Sequence, residues 1–278
     1  MRLATWNINS VTSRLGRLTD WLETRQPDVV CLQELKISTD AYPELPIAAL
    51  GYESAVIGQG RWNGVAVLSR VGLTDVVLNL PGQPTYGNEG EPAIVEARAV
   101  GATVGASTNG PGVRVWSLYV PNGREPGHDH FRYKLEWFAT LQATAAAELS
   151  GRAQLPYALL GDFNVAPTDS DVWDRSKFEG ATHVTPEERA GYTALIDSGL
   201  RDLIPRPGKG PNPFTFWDYR GGAFHKDEGM RIDLVLANPA FADRVTDIWV
   251  DREARKGSAQ SPGGAPSDHA PIIVDLED

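Results

Sequence analysis

Polar side chains that could bind a divalent cation and act on a phosphate stand at the ends of strand-like runs at five places in the sequence. These residues are Asn7, Glu34, the pair Asp162 and Asn164, Asp233, and the pair Asp268 and His269. Without a His-x-x-x-His spacing, and with one cysteine in the chain, such oxygen ligands favour Mg²⁺, Mn²⁺ or Ca²⁺ over zinc. A cation flanked by Asp, Asn and His predicts phosphoryl transfer, because the metal polarises phosphate oxygens and the donors meet the charge that develops.

Glu34 and Asn7 are the first candidate magnesium ligands, together with Asp268. Glu34 closes an apolar run that begins at Val29, and a carboxylate so close to a buried strand needs a partner. The alternative for Glu34 is a salt bridge to Lys36. The alternative for Asn7 is that it caps a turn.

Asp162 and Asn164 follow the apolar run 158–160. Period-two alternation places both side chains on one side while Phe163 points into the core, which is the geometry of a site lip. The alternative is a loop in which the two side chains bond their own backbone.

The pair Asp268 and His269 suggests a carboxylate that orients an imidazole. Adjacent residues of an extended segment point to opposite faces, however, so Asp268 is poorly placed to hold His269. Asp233 is therefore the candidate for the orienting carboxylate. The other histidines stand in polar, loop-like sequence and are expected to have no catalytic role; they are His128, His130, His183 and His225.

Alternating strands and helices are predicted to position these side chains. Strands are predicted at 2–8, 28–33, 52–57, 64–69, 74–80, 94–100, 113–120, 157–160, 214–217, 232–237, 244–250 and 271–276, and helices at 13–25, about 130–149 and near 186–198. A Gly, Ser, Ala and Pro-rich surface loop, 257–266, precedes Asp268. Two β-rich halves without a convincing linker predict two packed sheets covered by helices in one domain, residues 1–278.

The composition is that of an ordinary globular protein, with 278 residues, 41% of them apolar and 22% charged. The single cysteine, Cys31, excludes an intramolecular disulfide and fits a reducing cytoplasm. No signal-peptide core and no run of about 18 apolar residues is present, so neither export nor membrane insertion is expected. The net charge of −10 argues against coating nucleic acid through a bulk positive field, but a carboxylate pocket around a cation remains compatible with it.

Six short motifs occur in a fixed order along the chain. They are Trp6-Asn7-Ile8-Asn9, Leu32-Gln33-Glu34-Leu35-Lys36, Tyr119-Val120-Pro121-Asn122-Gly123, Gly161-Asp162-Phe163-Asn164-Val165-Ala166-Pro167, Arg231-Ile232-Asp233 and Ser267-Asp268-His269-Ala270-Pro271. In order and spacing the chain resembles, from first residue to last, the bacterial exonuclease III family of abasic-site endonucleases, within the endonuclease/exonuclease/phosphatase superfamily. The resemblance implies an α/β four-layer sandwich, in which two central mixed β-sheets lie between helices and the site lies at one edge.

The resemblance implies Glu34 as the principal metal ligand, with Asn7 and Asp268 close by. It also places Asp162 and Asn164 among the metal-binding residues. The implied ion is Mg²⁺, with Mn²⁺ as a substitute.

Catalytic roles follow from the same resemblance. Asp162 would orient or deprotonate the attacking water, and Asn164 would hold water and phosphate. Tyr119 would donate to the phosphate or the leaving group. His269, held by Asp233, would donate to a non-bridging phosphate oxygen.

An apolar pocket for a flipped-out abasic sugar is also implied, and it maps onto Phe216, Met230 and Ile232, next to Trp217. Because a base-free sugar offers no base edge to read, recognition must depend on backbone contacts, deformability and pocket shape. Asn122 is implied as a DNA contact by its motif. Basic residues in loop-like sequence are candidates for phosphate contacts; they are Arg61, Arg124, Lys134, Arg220, Lys226 and Arg231.

The implied function is a magnesium-dependent DNA-repair phosphodiesterase. It would incise duplex DNA 5′ to abasic sites and act as 3′–5′ exonuclease and 3′-phosphatase on duplex ends, as a cytoplasmic, nucleoid-associated monomer without an obligatory protein partner. One alternative is another phosphoesterase on the same scaffold, which would replace the aromatic stretch 214–219. The other is a non-catalytic regulator that binds nucleic acid, which would not need the full set of metal carboxylates.

Overall fold

Two six-stranded β-sheets form the centre of the computed structural model, which describes residues 1–88, 90–106, 110, 112–151, 154–258, 260–261 and 263–277. The strands are β1 (Arg2–Asn7), β2 (Val29–Gln33), β3 (Glu53–Ile57), β4 (Val65–Ser69), β5 (Leu73–Leu78), β6 (Ala99–Val104), β7 (Val113–Tyr119), β8 (Tyr157–Asp162), β9 (Arg201–Asp202), β10 (Asp233–Ala237), β11 (Val245–Val250) and β12 (Ile272–Leu276). The α-helices are α1 (Leu15–Arg25), α2 (Glu44–Ala48), α3 (Asp129–Gly151), α4 (Pro186–Asp197), α5 (Ala223–Lys226) and α6 (Pro239–Ala242). Within the described ranges, none of these helices could cross a membrane.

Both sheets are mixed and have a parallel pair at the centre. The first sheet has the order β11-β12-β1-β2-β4-β3 and the second β5-β6-β7-β8-β10-β9. Strands β1 and β2 run parallel, as do β7 and β8, while the other neighbours are antiparallel. Helices cover the outer faces, so the predicted four-layer α/β sandwich is confirmed.

Alternation along the strands divides the core into layers. In β2, Val29 and Cys31 belong to the cluster between the two sheets. Val30 and Leu32 point the other way and pack with Leu18 of helix α1. The outer face of the second sheet is covered in the same way by Trp137, Phe138 and Leu141 of α3 and Leu195 of α4. Because successive side chains point to opposite faces, a fully apolar strand is expected where both faces are covered.

Two predicted strands are wrong. Residues 94–100 were expected to pair, but Ile94 forms only an isolated bridge to Tyr86 and is 45% exposed, and the strand begins at Ala99. The strand continues through Gly101, where a Cβ would lie 2.6 Å from the Trp116 ring. Glycine is therefore needed at this position to make room for the Trp116 ring, and it does not end the strand. Residues 214–217 form isolated bridges, not a strand, because Phe216 contacts two different segments. Of the predicted loop 257–266, residues 259 and 262 lie outside the described residues.

Gly161 is required where β8 approaches β7. Its φ is 150°, and a Cβ would lie 2.0 Å from the carbonyl oxygen of Leu118. This close approach sets the position of the next residue, Asp162.

Candidate active site at the edge of the sandwich

The predicted site residues meet at one edge of the sandwich because the ends of its central strands meet there. Asn7 ends β1, and Glu34 follows β2, its parallel neighbour. Tyr119 ends β7 and lies opposite Asp162, the last residue of β8. Asp233 begins the antiparallel strand β10 and also lies opposite Asp162. Each sheet therefore contributes carboxylates to one site.

Glu34, Asp162 and His269 form a compact cluster that joins the two sheets. Their candidate ligand atoms all lie within 4.8 Å of one another. Asn7 links the carboxylates, since its Nδ2 donates to Glu34 Oε1 at 2.9 Å and to Asp162 Oδ2 at 3.0 Å. The Asn7 Oδ1 accepts from the Asn9 backbone N at 3.0 Å. Asn7 therefore presents its amide nitrogen to the cluster, contrary to the expected oxygen ligand.

Glu34 forms the salt bridge to Lys36 and also faces the cluster, although the sequence offered these two roles as alternatives. Lys36 Nζ lies 2.7 Å from Glu34 Oε2, so the predicted salt bridge exists. The other carboxylate oxygen lies in the cluster. Burial opposes the charge of Glu34, but Lys36 and Asn7 outweigh it and lower the pKa of the carboxyl. Glu34 has a φ of 52°, a conformation that is costly for a residue with a Cβ and is concentrated at functional sites.

Asp162 also combines two roles. It accepts the local backbone hydrogen bond that was the alternative to a role in the site, and its other carboxylate oxygen faces the cluster. Its Oδ1 accepts from the Asn164 backbone N at 2.9 Å. Burial, with the carboxylates of Asp233 and Glu34, raises the pKa of Asp162, and His269 opposes this shift. A group of carboxylates that disfavour one another's charge is stabilised by a proton or a cation.

His269 is held by Asp233, as predicted. His269 Nδ1 lies 2.8 Å from Asp233 Oδ2, and its Nε2 lies 3.8 Å from Asp162 Oδ2. Burial works against an imidazolium, but the Asp233 carboxylate outweighs it and raises the pKa of His269 to about 10. Asp268 is not part of the cluster: its Oδ1 accepts from Asn9 Nδ2 at 2.9 Å. The structure therefore brings Glu34 together with Asn7 and Asp162 and leaves Asp268 outside the cluster, and the metal-ligand roles expected of these residues stay predictions.

Tyr119 stands beside the cluster as a neutral hydroxyl. Burial, with the neighbouring Glu34 carboxylate, raises the pKa of Tyr119 well above its ordinary value. The Arg98 guanidinium lies 4.9 Å from the centre of the Tyr119 ring and fixes its plane. Tyr119 is thus a hydrogen-bond donor at any pH near neutrality.

Asn164 is surrounded by protein partners, among them a histidine that sequence reasoning missed. Its Nδ2 donates to the Val120 O at 2.9 Å, and its Oδ1 lies 3.0 Å from His183 Nε2 and 3.2 Å from Asn122 Nδ2. His183 was expected to be inert, yet burial, followed by the Lys134 ammonium, lowers its pKa to about 3. Nothing in the polar stretch around His183 distinguishes it from His225; its partners come from distant segments.

Lys134 is not a phosphate contact in this structure, because its side chain is fully buried. Its Nζ donates to Glu188 Oε1, to the Asn164 O at 2.6 Å and to the Asn122 O at 3.1 Å. Glu188 also accepts from Thr182 Oγ1 at 2.6 Å. The ammonium therefore ties α3 to α4 and holds the backbone of two predicted site residues from behind.

Replacing Lys134 with methionine is expected to lower the free energy of unfolding by about 3–5 kcal/mol, because it leaves the buried Glu188 carboxylate without its cation. Urea unfolding measures this. The double variant Lys134→Met/Glu188→Gln should lose less than the single variant, since no buried charge remains unpaired. Unchanged stability together with weaker DNA binding in the single variant would instead support the predicted contact between Lys134 and a DNA phosphate.

Two further expectations fail for the same reason, burial in the protein core. Trp217 is 1% exposed; its Nε1 donates to Asp227 Oδ1 at 3.1 Å, so it does not line the pocket surface. Arg231 is 2% exposed and pairs with Asp171 at 2.6 Å and Asp202 at 2.9 Å, so it is not a phosphate contact.

An apolar pocket of about 470 Å³ opens beside the cluster. Phe216 and Met230 line it, with Trp173 and Phe178. The Phe216 ring also lies 4.9 Å from the His269 ring, centre to centre. Ile232 was expected in the wall but lies behind it, 2% exposed. A pocket therefore exists at the predicted residues Phe216 and Met230, and its other two aromatic residues come from a segment that the sequence did not single out. Its role in holding a sugar stays a prediction.

Exposed polar and aromatic side chains surround the cluster on its other side. Arg124 is exposed; its Nη2 donates to Asn88 Oδ1 at 3.0 Å, and its guanidinium lies 5.9 Å from the Tyr86 ring centre. Asn122 is exposed next to it, and Trp62 is 70% exposed. Together with Tyr119 they line a groove of about 310 Å³.

The segment 123–130 behind this groove is anchored by a buried histidine. His130 is 6% exposed, and its Nδ1 accepts from the Gly123 backbone N at 3.1 Å. Burial, followed by the nearby Arg98 guanidinium, lowers the pKa of His130 to about 4. The folded protein therefore keeps this ring neutral where an unfolded chain would protonate it.

Stability is accordingly expected to fall as the pH drops below about 6.5, the pKa of an unperturbed histidine. Because the folded pKa lies below the unfolded one, the stabilisation is complete above pH 6.5 and is lost as the pH approaches 4. Between pH 6.5 and 5 the loss through His130 is about 2 kcal/mol. Urea unfolding of His130→Asn should lose less over this range, whereas exposed His225→Asn should follow the parent protein; parallel curves for all three proteins would contradict the assignment.

Comparisons with known proteins agree with this geometry. The family model described as "Endonuclease/Exonuclease/phosphatase family" matches residues 4–269. Exodeoxyribonuclease III of Haemophilus influenzae is 30% identical, with 100% of each chain covered. A variant of the 3′ phosphatase NExo from Neisseria, solved with a product DNA hairpin, is 34% identical with a TM-score of 0.87, and an AP endonuclease from Archaeoglobus fulgidus is 29% identical with a TM-score of 0.85; both alignments cover 100% of each chain.

The fold, the clustered carboxylates and the full-length relatives point in the same direction. The family match extends over nearly the whole chain, including Glu34, Asp162 and His269. This chain belongs to the endonuclease/exonuclease/phosphatase family of hydrolases and, within it, to the exodeoxyribonuclease III group.

Proposed function

We propose that this chain hydrolyses phosphate esters of duplex DNA in a magnesium-dependent reaction, incising the backbone 5′ to abasic sites and removing groups from 3′ ends in base excision repair. One observation carries the proposal: the Phe216 ring that lines the apolar pocket also contacts His269 of the carboxylate cluster. A sugar held in that pocket would place its phosphate beside the hydrolytic groups.

The cluster suits a hard divalent cation. Glu34 and Asp162 offer carboxylate oxygens, and Asp233 Oδ1 is a buried acceptor without a hydrogen-bond partner among the described residues. His269 is committed to Asp233 and carries a proton, so it is not available as a ligand. Carboxylate oxygens without thiolate or neutral imidazole favour Mg²⁺, with Mn²⁺ as a substitute. The bound cation would polarise the phosphate and neutralise developing charge.

Each side chain around the cluster has a distinct proposed role. The Asp162 carboxylate orients the attacking water and accepts its proton, because burial and like charges make it a better base than an ordinary aspartate. His269, kept protonated by Asp233, donates to a non-bridging phosphate oxygen. Tyr119 donates its hydroxyl proton towards the phosphate or the leaving oxygen.

DNA is proposed to lie across the edge of the sandwich, over both the apolar pocket and the groove. Arg124 and Asn122 offer donors to backbone phosphates. Exposed Trp62 offers a flat apolar surface to a sugar or base. No contact in this set reads a base edge, so binding would depend on the shape of the duplex. We further propose that the protein acts as a cytoplasmic monomer.

The experiment uses three labelled duplexes, which carry an internal abasic-site analogue, a 3′-phosphate or an ordinary recessed 3′ end. Each is incubated with the protein in Mg²⁺ and, separately, in chelator. We expect a single cut 5′ to the lesion, release of phosphate and shortening of the 3′ end, all in Mg²⁺ alone. Three intact duplexes with folded protein, alongside hydrolysis of an inositol phosphate, would contradict the proposal and favour another phosphoesterase.

A further inference from the structure

A second cavity, of about 600 Å³, lies on the other side of the 218–223 turn from the apolar pocket. We call it the basic cavity. Its basic lining residues are Lys209, His225, Arg252, Arg255 and Lys256. The one acidic residue of its described lining, Asp218, is already engaged by Arg220 at 2.6 Å. The cavity therefore has an excess of cationic groups, although the chain as a whole is acidic.

Arg255 is the least compensated of the cavity's described basic side chains. It is 6% exposed and forms no ion pair with a carboxylate of the described residues; its Nη2 donates to the Trp217 O at 3.2 Å, and its Nε has no partner. Its guanidinium lies 4.9 Å from the centres of both the Tyr219 and Phe224 rings. A desolvated cation without a counter-charge is costly unless a ligand supplies one.

Arg252 adds to the imbalance. It is 8% exposed, its Nε also lacks a partner in the described part of the chain, and its Nη2 lies 3.3 Å from Asp227 Oδ1. That oxygen is shared with Trp217 Nε1, so one carboxylate serves two donors. Burial, with the positive charges of Arg252 and Arg14, lowers the pKa of Arg255, although Tyr219 and the Asp268 carboxylate act in the opposite direction. The described carboxylates near the two guanidinium groups are therefore Asp227, which pairs with Arg252, Asp218, which pairs with Arg220, and Asp268, which forms no ion pair with Arg255.

We propose that the basic cavity binds a phosphate group, carried either by a free nucleotide or by the backbone of bound DNA. Guanidinium groups form paired, charge-assisted hydrogen bonds with phosphate oxygens. The aromatic rings of Phe224 and Tyr219 offer flat walls to a sugar or base, and the volume lies within the usual range of about 300–1,000 Å³ for ligand sites. Lys209 and exposed Lys256 also line the cavity, where they would meet the same anion; Lys256 pairs with exposed Glu253 at 2.6 Å in this structure.

This site is separate from the catalytic cluster, so it does not depend on the proposed reaction. Tyr219 in its wall is held in place, because its hydroxyl donates to the Pro266 O at 2.8 Å and accepts from Arg14 Nη2 at 2.9 Å. The 218–223 turn borders both cavities. An occupant of the basic cavity would therefore contact the wall of the apolar pocket from behind.

The test measures binding to the whole protein in chelator, where no metal-dependent turnover occurs. Deoxyadenosine monophosphate and inorganic phosphate are titrated by calorimetry, with deoxyadenosine as the phosphate-free comparison. The rim variant Lys209→Gln/Lys256→Gln avoids the core, and Arg255→Gln tests the buried cation. The control is Arg201→Gln, whose exposed guanidinium pairs with Asp243 opposite the far end of β10.

We expect the nucleotide to bind and inorganic phosphate to compete with it. Both the rim variant and Arg255→Gln should weaken nucleotide affinity about tenfold, while the control variant should match the parent protein. If only DNA is the source, free nucleotide will not bind, but the rim variant will reduce the salt dependence of duplex affinity by about one or two phosphate contacts. Nucleotide binding that both variants leave unchanged, or no effect on either ligand, would overturn the proposal.

Discussion

Replacing Asp162 with asparagine is expected to lower kcat by about 10²- to 10⁴-fold while leaving duplex affinity nearly unchanged. The carboxylate lies where both sheets end, with Oδ2 3.0 Å from Asn7 Nδ2 and 3.8 Å from His269 Nε2. Asparagine keeps the size of the side chain but cannot accept a proton from water. Because the proton is accepted from water only on the way to the transition state, the variant should lower kcat and not substrate affinity.

The measurement compares single-turnover cleavage with duplex binding in chelator. Asp243→Asn is the matched control, since it removes one exposed carboxylate that pairs with Arg201, away from the cluster. The control should match the parent protein in both assays. A variant at Asp162 that binds DNA poorly but cleaves bound DNA at the normal rate would assign Asp162 to binding instead.

The site could be located from the sequence because it depends on where strands end. Apolar runs followed by polar residues are local features, and they placed Glu34 after β2 and Asp162 at the end of β8 correctly, while Asp233 begins β10. Because adjacent residues of an extended segment face opposite ways, Asp233 rather than Asp268 is predicted to hold His269, and Asp233 lies 2.8 Å from it. Such inferences need only the period of an extended chain.

What the sequence could not predict depends on partners far along the chain. Lys134 and Arg124 are both basic residues near one motif, yet Glu188, 54 residues beyond Lys134, decides that Lys134 is buried. His183 joins the site because Asn122 and Asn164 meet it there. No local pattern carries this information, since burial of a polar side chain is decided by the charge or hydrogen bond that compensates it.

Replacing Glu34 with glutamine is expected to reduce metal-dependent activity by about 10³-fold or more, because a neutral amide is a far weaker ligand for Mg²⁺ than a carboxylate. Glutamine keeps the shape of the side chain and can still accept from Asn7 Nδ2, which lies 2.9 Å from Glu34 Oε1. The fold should therefore persist. Activity as a function of Mg²⁺ concentration and direct Mn²⁺ binding measure the effect, and urea unfolding checks stability.

Lys36→Gln separates the two roles that Glu34 has in the structure. It removes the ion pair at 2.7 Å but leaves the carboxylate available for a cation. If the ion pair were the main purpose of Glu34, the two variants would lose similar activity and Mn²⁺ binding. If Glu34 holds the metal, Lys36→Gln should bind Mn²⁺ far better than Glu34→Gln, because removing the ammonium takes away a competitor for the same oxygen. Full turnover of Glu34→Gln at saturating Mg²⁺ would exclude Glu34 from the metal site.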